Sequence, residues 1–280
     1  MKRGRAEQYY VHRGGGQRAD PRTRVFCVQC RMNSLKADVR KSPTVLLIDV
    51  RAGSIKLMLP GRRALPSLDT DDALDPGGVA AHVKKLGADC EFNAVSIAYP
   101  GPLRAGRPVA DPPGVGKGWV SFDYEKAFRH PVRMIDPVSI RALAAYRGSR
   151  MLFVDLGAGL KSALIADNIL TPLELGRLRF DAQHNLLEQL TDEGARRVDY
   201  RSWPREVVAV VANLKAAFGV KEVVLGGQNA ARAKPLPRSC RIQTEAQTIV
   251  GATRLWGDAD GVIAIPRGSC WEIHGMRRSE

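Results

Sequence analysis

A chain of 280 residues, 44% of them apolar, is long enough to bury one large core or two lobes. No apolar run approaches the roughly 20 residues that cross a bilayer, and no secretory pattern opens the sequence, so a cytoplasmic protein without a membrane partner is expected. The net charge of +14 points to nucleic acid or polyphosphate, but +8 of it lies in residues 1–41, which weakens that reading for the remainder.

Residues 1–41 read as a basic, Gly-rich, disordered arm ("VHRGGGQRADPRTR"). A translation start at Met32 would leave that arm outside the folded protein. The arm has no helix-turn-helix pattern, so a DNA-binding repressor is not expected, and nucleic acid is not an expected partner. Cys27, Cys30, Cys90, Cys240 and Cys270 are odd in number and scattered, which fits a reducing compartment rather than a disulfide framework. Cys27 and Cys30 have half of a zinc-site spacing with no second pair, and His184 and His274 lack partners at ligand spacing, so no structural metal is expected.

The first strand is Val45–Asp49, "VLLID", a continuous apolar run of the buried kind. A break at Arg51–Ser54 and a second run, "IKLML", make a hairpin. "DPGGVAAHVKKLG" has helical spacing with Gly87 at the stop position. The strand "AVSIAYP" then leads into a Pro/Gly-rich loop from Pro100 to Gly118, and the strand "VRMI" leads into a helix after Asp136. "MLFVDLGAGLKSALIADNIL" repeats the first hairpin, an internal echo that suggests two lobes on one plan with a ligand between them. "REVVAVVANLKAAFG" is an amphipathic helix closed by Gly219. "KEVVLGGQNAARA" reads as a strand, a Gly-Gly turn and a helix start, and "AQTIVGATRLW" as a closing helix; Gly257–Glu280 shows no clear pattern. Strands alternating with helices give an α/β class.

In order and spacing, Asp49–Lys56, "YPGPLRAGRPVADPPGVGKGW", "DLGAGLKSAL", "LELGRL" and "VVLGGQNA" resemble the ROK family (repressors, uncharacterised frames, sugar kinases). Within it they resemble the polyphosphate/ATP glucokinase branch. The resemblance runs from Val45 to Trp256 and implies a two-lobed α/β actin-like ATPase (ribonuclease H-like) sugar kinase fold. Residues 42–137 would form the N-terminal lobe, 138–256 the C-terminal lobe with its closing helix, and 257–280 a tail. It also implies transfer of a phosphoryl group from ATP or polyphosphate, with Mg2+, to the 6-hydroxyl of glucose or a related hexose, and a homodimer, the common state in the family.

The resemblance assigns roles to particular residues. Asp49, Arg51, Gly53 and Lys56 stand in the first phosphate-cradling turn, where the family pattern Asp-x-Gly-Gly-Thr-x-x-Lys has become Asp-Val-Arg-Ala-Gly-x-x-Lys. Arg51 either forks a phosphate or is a solvated arginine on an ordinary turn. Gly157, Gly159 and Lys161 stand in the second turn. There the family's last glycine is Lys161, which would be strained if that position needs a positive φ, or would offer a cation to a phosphate chain. Gly226 and Gly227 would lie against adenosine, or simply precede a helix. Pro100 and Gly101, with Trp119, fit the sugar-side loop, from which the family's asparagine is lost at Gly114. Glu174 and Arg177 stand in the Glu-x-Gly-His segment that binds sugar hydroxyls, or form a surface ion pair. The family's zinc-binding cysteine cluster is absent.

The family's general base is the aspartate of an Asn-Asp pair that ends the strand before "ALAAYRG". Here Asp136 takes the asparagine position and Pro137 the aspartate position, and proline cannot take a proton. Asp followed by Pro is also a good helix start, the carboxylate capping and the proline tolerating the first turn. Two readings follow: a glucokinase-like pseudoenzyme that binds sugar, nucleotide or polyphosphate without efficient turnover, or an active transferase with Asp136 as base. A sugar-responsive regulator is a third.

Overall fold

The computed structural model describes residues 42–62, 65–69, 74–86, 90–157, 159–199 and 201–276. The basic arm with Cys27 and Cys30, the Met32 start and the helix stop at Gly87 lie outside them. In chain order the elements are β1 (Val45–Arg51), β2 (Ser54–Met58), β3 (Leu68–Asp69), α1 (Pro76–Lys85), β4 (Ala94–Ala98), β5 (Leu103–Arg104) and β6 (Arg107–Pro108). Then come α2 (Tyr124–Phe128), β7 (Val132–Ile135), α3 (Pro137–Ala145), β8 (Met151–Asp155), β9 (Ser162–Ala166) and β10 (Ile169–Leu173). The rest are α4 (Leu186–Leu190), α5 (Asp192–Val198), α6 (Trp203–Phe218), β11 (Glu222–Gly226), β12 (Cys240–Ile242), α7 (Thr248–Arg254), β13 (Ile263–Arg267) and β14 (Cys270–His274).

Two larger sheets carry the fold, with strand orders β3-β2-β1-β4-β7 and β12-β11-β8-β9-β10-β14-β13. In each, an antiparallel hairpin adjoins parallel strands: β1 pairs antiparallel with β2 and parallel with β4, and β8 pairs antiparallel with β9 and parallel with β11. The internal echo in the sequence is this repeated unit.

Strand periodicity explains the layering. Along β1, Leu46, Ile48 and Val50 belong to one buried cluster with Val79 and Val83 of α1. Val45 and Leu47, pointing to the other face, join Ile140 and Leu143 of α3, Ala252 of α7 and Met151, Phe153 and Ala163 of the second sheet. Leu152 and Val154 face away into a third cluster with Val207, Val211 and Leu214 of α6. Helices α3 and α7 therefore fill the space between the two sheets, while α1 and α6 cover their outer faces.

The local signals for the helices hold. The Asp75 carboxylate accepts from Gly78 N at 2.7 Å at the start of α1, and Asp136 accepts from Ser139 N at 2.9 Å at the start of α3. Helix α6 ends at Gly219 with φ 58°. The C-terminus of α3 is held by arginines: Arg254 donates to Leu143 O (2.7 Å) and Tyr146 O (2.9 Å), and Arg241 donates to Ala145 O. Cations there suit the carbonyl-rich end of the helix. The central layer packs closely: a Cβ on Gly251 of α7 would lie 2.0 Å from Ile140 O.

Two expectations change. Residues 257–280, read as a patternless tail, contain the hairpin β13–β14, which joins the second sheet through β14 and β10. Its outer strand β13 sits at the sheet edge, half-exposed and carrying Pro266, so it lacks the buried run that marks a strand in sequence. Its turn also reaches the first half of the chain, where Ala105 N donates to Gly268 O at 3.0 Å. The helix start read after Gly226-Gly227 is a single 3-10 turn, Ala230–Ala233, followed closely by Pro235.

Candidate functional site

Register aligns the strand ends. Asp49 pairs with Ala98, and Ala98 with Ile135, so Asp49, the Tyr99-Pro100-Gly101 exit and Asp136 leave the first sheet along one edge. In the second sheet Asp155 pairs with Gly226, and Gln243 N donates to Leu225 O at 2.9 Å, which brings the segment before Glu245 to the matching edge. The carboxyl ends of parallel strands are where open α/β sheets take ligands.

Parity puts Asp49 on the face of Val45 and Leu47, and Asp155 on the face of Met151 and Phe153, so both carboxylates turn toward the layer that holds α3. Arg141 of α3 donates to Asp155 Oδ2, and its other terminal nitrogen lies 3.9 Å from Asp49 Oδ2. Arg51 shares Asp49's face, and Lys56 is Asp49's cross-strand partner. Arg51 donates through Nε to Asp49 Oδ2 at 2.9 Å and also bonds Glu245. Lys56 Nζ reaches both Glu245 oxygens, at 2.9 and 3.1 Å. Arg51 is therefore not a solvated turn residue; it is tied into both halves of the chain. Burial works to raise the Glu245 pKa, but the Lys56 bond and the Arg51 charge outweigh it and hold the carboxyl below its usual range.

Asp136 caps α3. Burial holds its carboxyl above the usual range, partly opposed by the bond it accepts from Ser139 N. Pro137 occupies the first helical turn.

In the second turn the Asp155 Oδ1 atom accepts from Gly157 N at 2.8 Å. Lys161 does not need a positive φ; in this turn it is Leu160 that adopts one, at 36°. Lys161 Nζ contacts both oxygens of Glu174, at 2.8 and 3.0 Å, so the alternative reading of a Glu174–Arg177 ion pair gives way to a pair with Lys161. A residue expected to grip the donor and one expected to bind sugar thus meet directly. Arg177 is exposed at the end of a 3-10 turn. Gly227, at φ +83°, has no room for a side chain: a Cβ would lie 2.2 Å from Asp155 Oδ1 and 2.5 Å from Gly157 N. Packing of the two turns alone accounts for that glycine.

The Pro/Gly-rich loop folds on itself. Tyr99 donates to Ala110 O (2.6 Å), Trp119 N donates to Asp111 Oδ1 (2.8 Å) and Tyr124 donates to Trp119 O (2.6 Å). Trp119 is buried among core residues. A Cβ on Gly114 would lie 3.4 Å from Ala52, so this loop touches the first turn, whose Gly53 adopts φ +87°. A Cβ on Gly101 would strike the Tyr99 ring at 2.6 Å.

Sequence reasoning missed three site residues. The signal for Asp155 was the echo of "LIDVRAG" in "FVDLGAG". For Arg141 it was a lone charge in the apolar helix "VSIRALAAY". Glu245 had none, because its partners lie 189 and 194 residues away. Among the described residues no three His, Cys, Asp or Glu side chains gather to hold a metal. The Mg2+ implied by the resemblance fits poorly beside these strand ends. Asp49 Oδ1 has no hydrogen-bond partner but is buried, and the carboxylate it belongs to faces two guanidinium groups.

No family model matches the chain, and no curated protein does. Solved structures do. The inorganic polyphosphate/ATP-glucomannokinase of Arthrobacter sp. strain KM matches with a TM-score of 0.58 and 21% identity, over 76% of this chain and 97% of that one. A ROK-family glucokinase of Streptomyces griseus, in complex with glucose and AMPPNP, matches at 0.55 and 16%, over 76% and 98%. A ROK-family transcriptional regulator, a homologue of E. coli MLC protein, matches at 0.56 and 15%, over 75% of this chain and 76% of that one. The chain has the two-lobed actin-like ATPase fold. Within that class, its architecture is the one found in the ROK sugar kinases.

Proposed function

We propose that this chain is a ROK-family glucokinase-like protein that receives a hexose and a phosphate-bearing ligand, nucleotide or polyphosphate, between its lobes. The family reaction, phosphoryl transfer from ATP or polyphosphate to the sugar 6-hydroxyl, is weak or lost in it. The observation that carries this reading is the start of α3, where the Asp136 carboxylate caps the helix through Ser139 N and is followed by Pro137, the residue to which the sequence resemblance assigns the family's base position. Loss of a positioned base typically costs 10²–10⁴-fold in rate. The donor-facing cations support it, since Arg51, Lys56 and Lys161 are each bonded to a carboxylate of the chain itself.

A second reading has its own observation. Burial raises the Asp136 pKa, the direction that suits a general base, so an active kinase with Asp136 in that role is the alternative. A sugar-responsive regulator is the third, and the regulator among the structural neighbours keeps it in play.

A coupled assay of glucose phosphorylation with ATP and with polyphosphate separates these. The native chain is expected to be near background. The double change Asp136→Asn, Pro137→Asp is expected to raise turnover if only the base is missing. Native turnover in the ordinary kinase range, about 1–100 per second, would overturn the impaired reading. If neither form turns over, a glucose-dependent rise in Tm supports a binding role.

A further inference from the structure

We infer that Arg51 and Lys56 form an anion site whose resident anion is the chain's own Glu245, so that a phosphate-bearing ligand enters by displacing that carboxylate. The inference rests on the reading of this cleft as a donor site and adds a residue that sets how tightly the donor is held.

The hairpin builds the site. Asp49, Arg51 and Lys56 share one face of β1–β2, Asp49 and Lys56 as cross-strand partners. Asp49, fully buried, takes the Arg51 Nε bond at 2.9 Å and so aims the guanidinium before any ligand arrives. Glu245, from the 3-10 turn before α7, reaches across from the other half of the chain and places Oε1 against both cations. One carboxylate on two converging cations is the arrangement a phosphate group would adopt there.

Charge and exposure say that it can leave. The four groups sum to zero, so departure of Glu245 leaves a net positive site facing a ligand that brings about −1.5 to −2 per terminal phosphate. Arg51, Lys56 and Glu245 are 28%, 40% and 47% exposed, so water screens their attraction. Exposed pairs of this kind contribute roughly 0.2–1 kcal/mol each. The tether is strong enough to compete with an incoming anion and too weak to exclude one.

Inorganic tripolyphosphate is the probe, titrated calorimetrically at pH 7 and low salt into the native chain, Glu245→Gln, and the double variant Glu245→Gln, Lys56→Met. Glu245→Gln removes the competitor's charge and is expected to bind roughly three- to tenfold more tightly than the native chain. The added Lys56→Met change is expected to abolish that gain. Equal or weaker binding by Glu245→Gln, a gain that survives in the double variant, or no binding by any form would each overturn the inference. A Tm series with glucose is run in parallel. Tighter tripolyphosphate binding without any glucose response would sink the sugar reading and leave the Glu245 role standing.

Discussion

Arg141, one turn into α3, donates to the Asp155 carboxylate at the end of β8, and its second nitrogen lies 3.9 Å from Asp49, near the end of β1. One guanidinium thus lies against a buried carboxylate from each of the two sheets. With side chains only 16% and 11% exposed, Arg141 and Asp155 sit largely out of water, where breaking a pair costs far more than the pair contributes. Arg141→Met is expected to lower stability by about 3–5 kcal/mol in urea titrations. Adding Asp155→Asn is expected to recover much of it, because the stranded charge goes while the acceptor for Gly157 N remains.

Asp136 is a cap with a strained charge. Asp136→Ala is expected to cost about 1 kcal/mol, and Asp136→Asn less, since the amide oxygen still accepts from Ser139 N. Its pKa is raised in the folded chain above the ordinary 3.8, so the native state keeps this proton to higher pH than the unfolded chain does. Its contribution to stability therefore falls as pH rises from about 3.8 through the raised value. Urea midpoints across mildly acidic pH should show a shallower fall in Asp136→Asn than in the native chain; an unchanged slope would contradict the assignment.

At Gly251 the crossing of α3 and α7 leaves no room for a methyl group, which would meet Ile140 O at 2.0 Å. Gly251→Ala, neutral or favourable in an isolated helix, is expected to destabilise the fold by about 1–3 kcal/mol as the helices part. Thermal melts of the single variant check this.

On the alkaline side, burial pushes the Cys240 thiol from its ordinary 9.0 up to about 11. The native state holds that proton while the unfolded chain releases it, so stability falls between pH 9 and 11. Burial raises the phenols of Tyr99 and Tyr124 as well, and continues the trend. The fall in Tm over this range should be smaller in Cys240→Ser.

The parts of the fold legible in sequence are those where one physical signal dominates. "VLLID" and "MLFVD" are strands buried on both faces, Asp75 and Asp136 precede prolines, and Gly219 closes an amphipathic helix. The β13–β14 hairpin escaped because an edge strand is half-exposed and its alternation is blurred by Pro266 and Arg267. The site divides in the same way. Residues on the two hairpins could be placed by order and spacing, because the turns lie next to their strands. One partner could not: Glu245 for Arg51 and Lys56 is a choice made by the packing of distant elements, whereas Lys161 and Glu174 meet because they flank the paired ends of β9 and β10. The sequence shows which charges are present, and only the fold shows that they neutralise one another.

The hydrogen bond from Ala105 to Gly268 has a mechanical consequence. The β13–β14 hairpin belongs to the second sheet by its ladder, yet its turn is pinned to the β5–β6 turn that follows the first sheet's β4. That bond ties the edge of the second sheet to the loop leaving the first, a link that lies apart from the α3 and α7 layer between them. The hairpin that the sequence hides best is thus also a second tie between the two sheets.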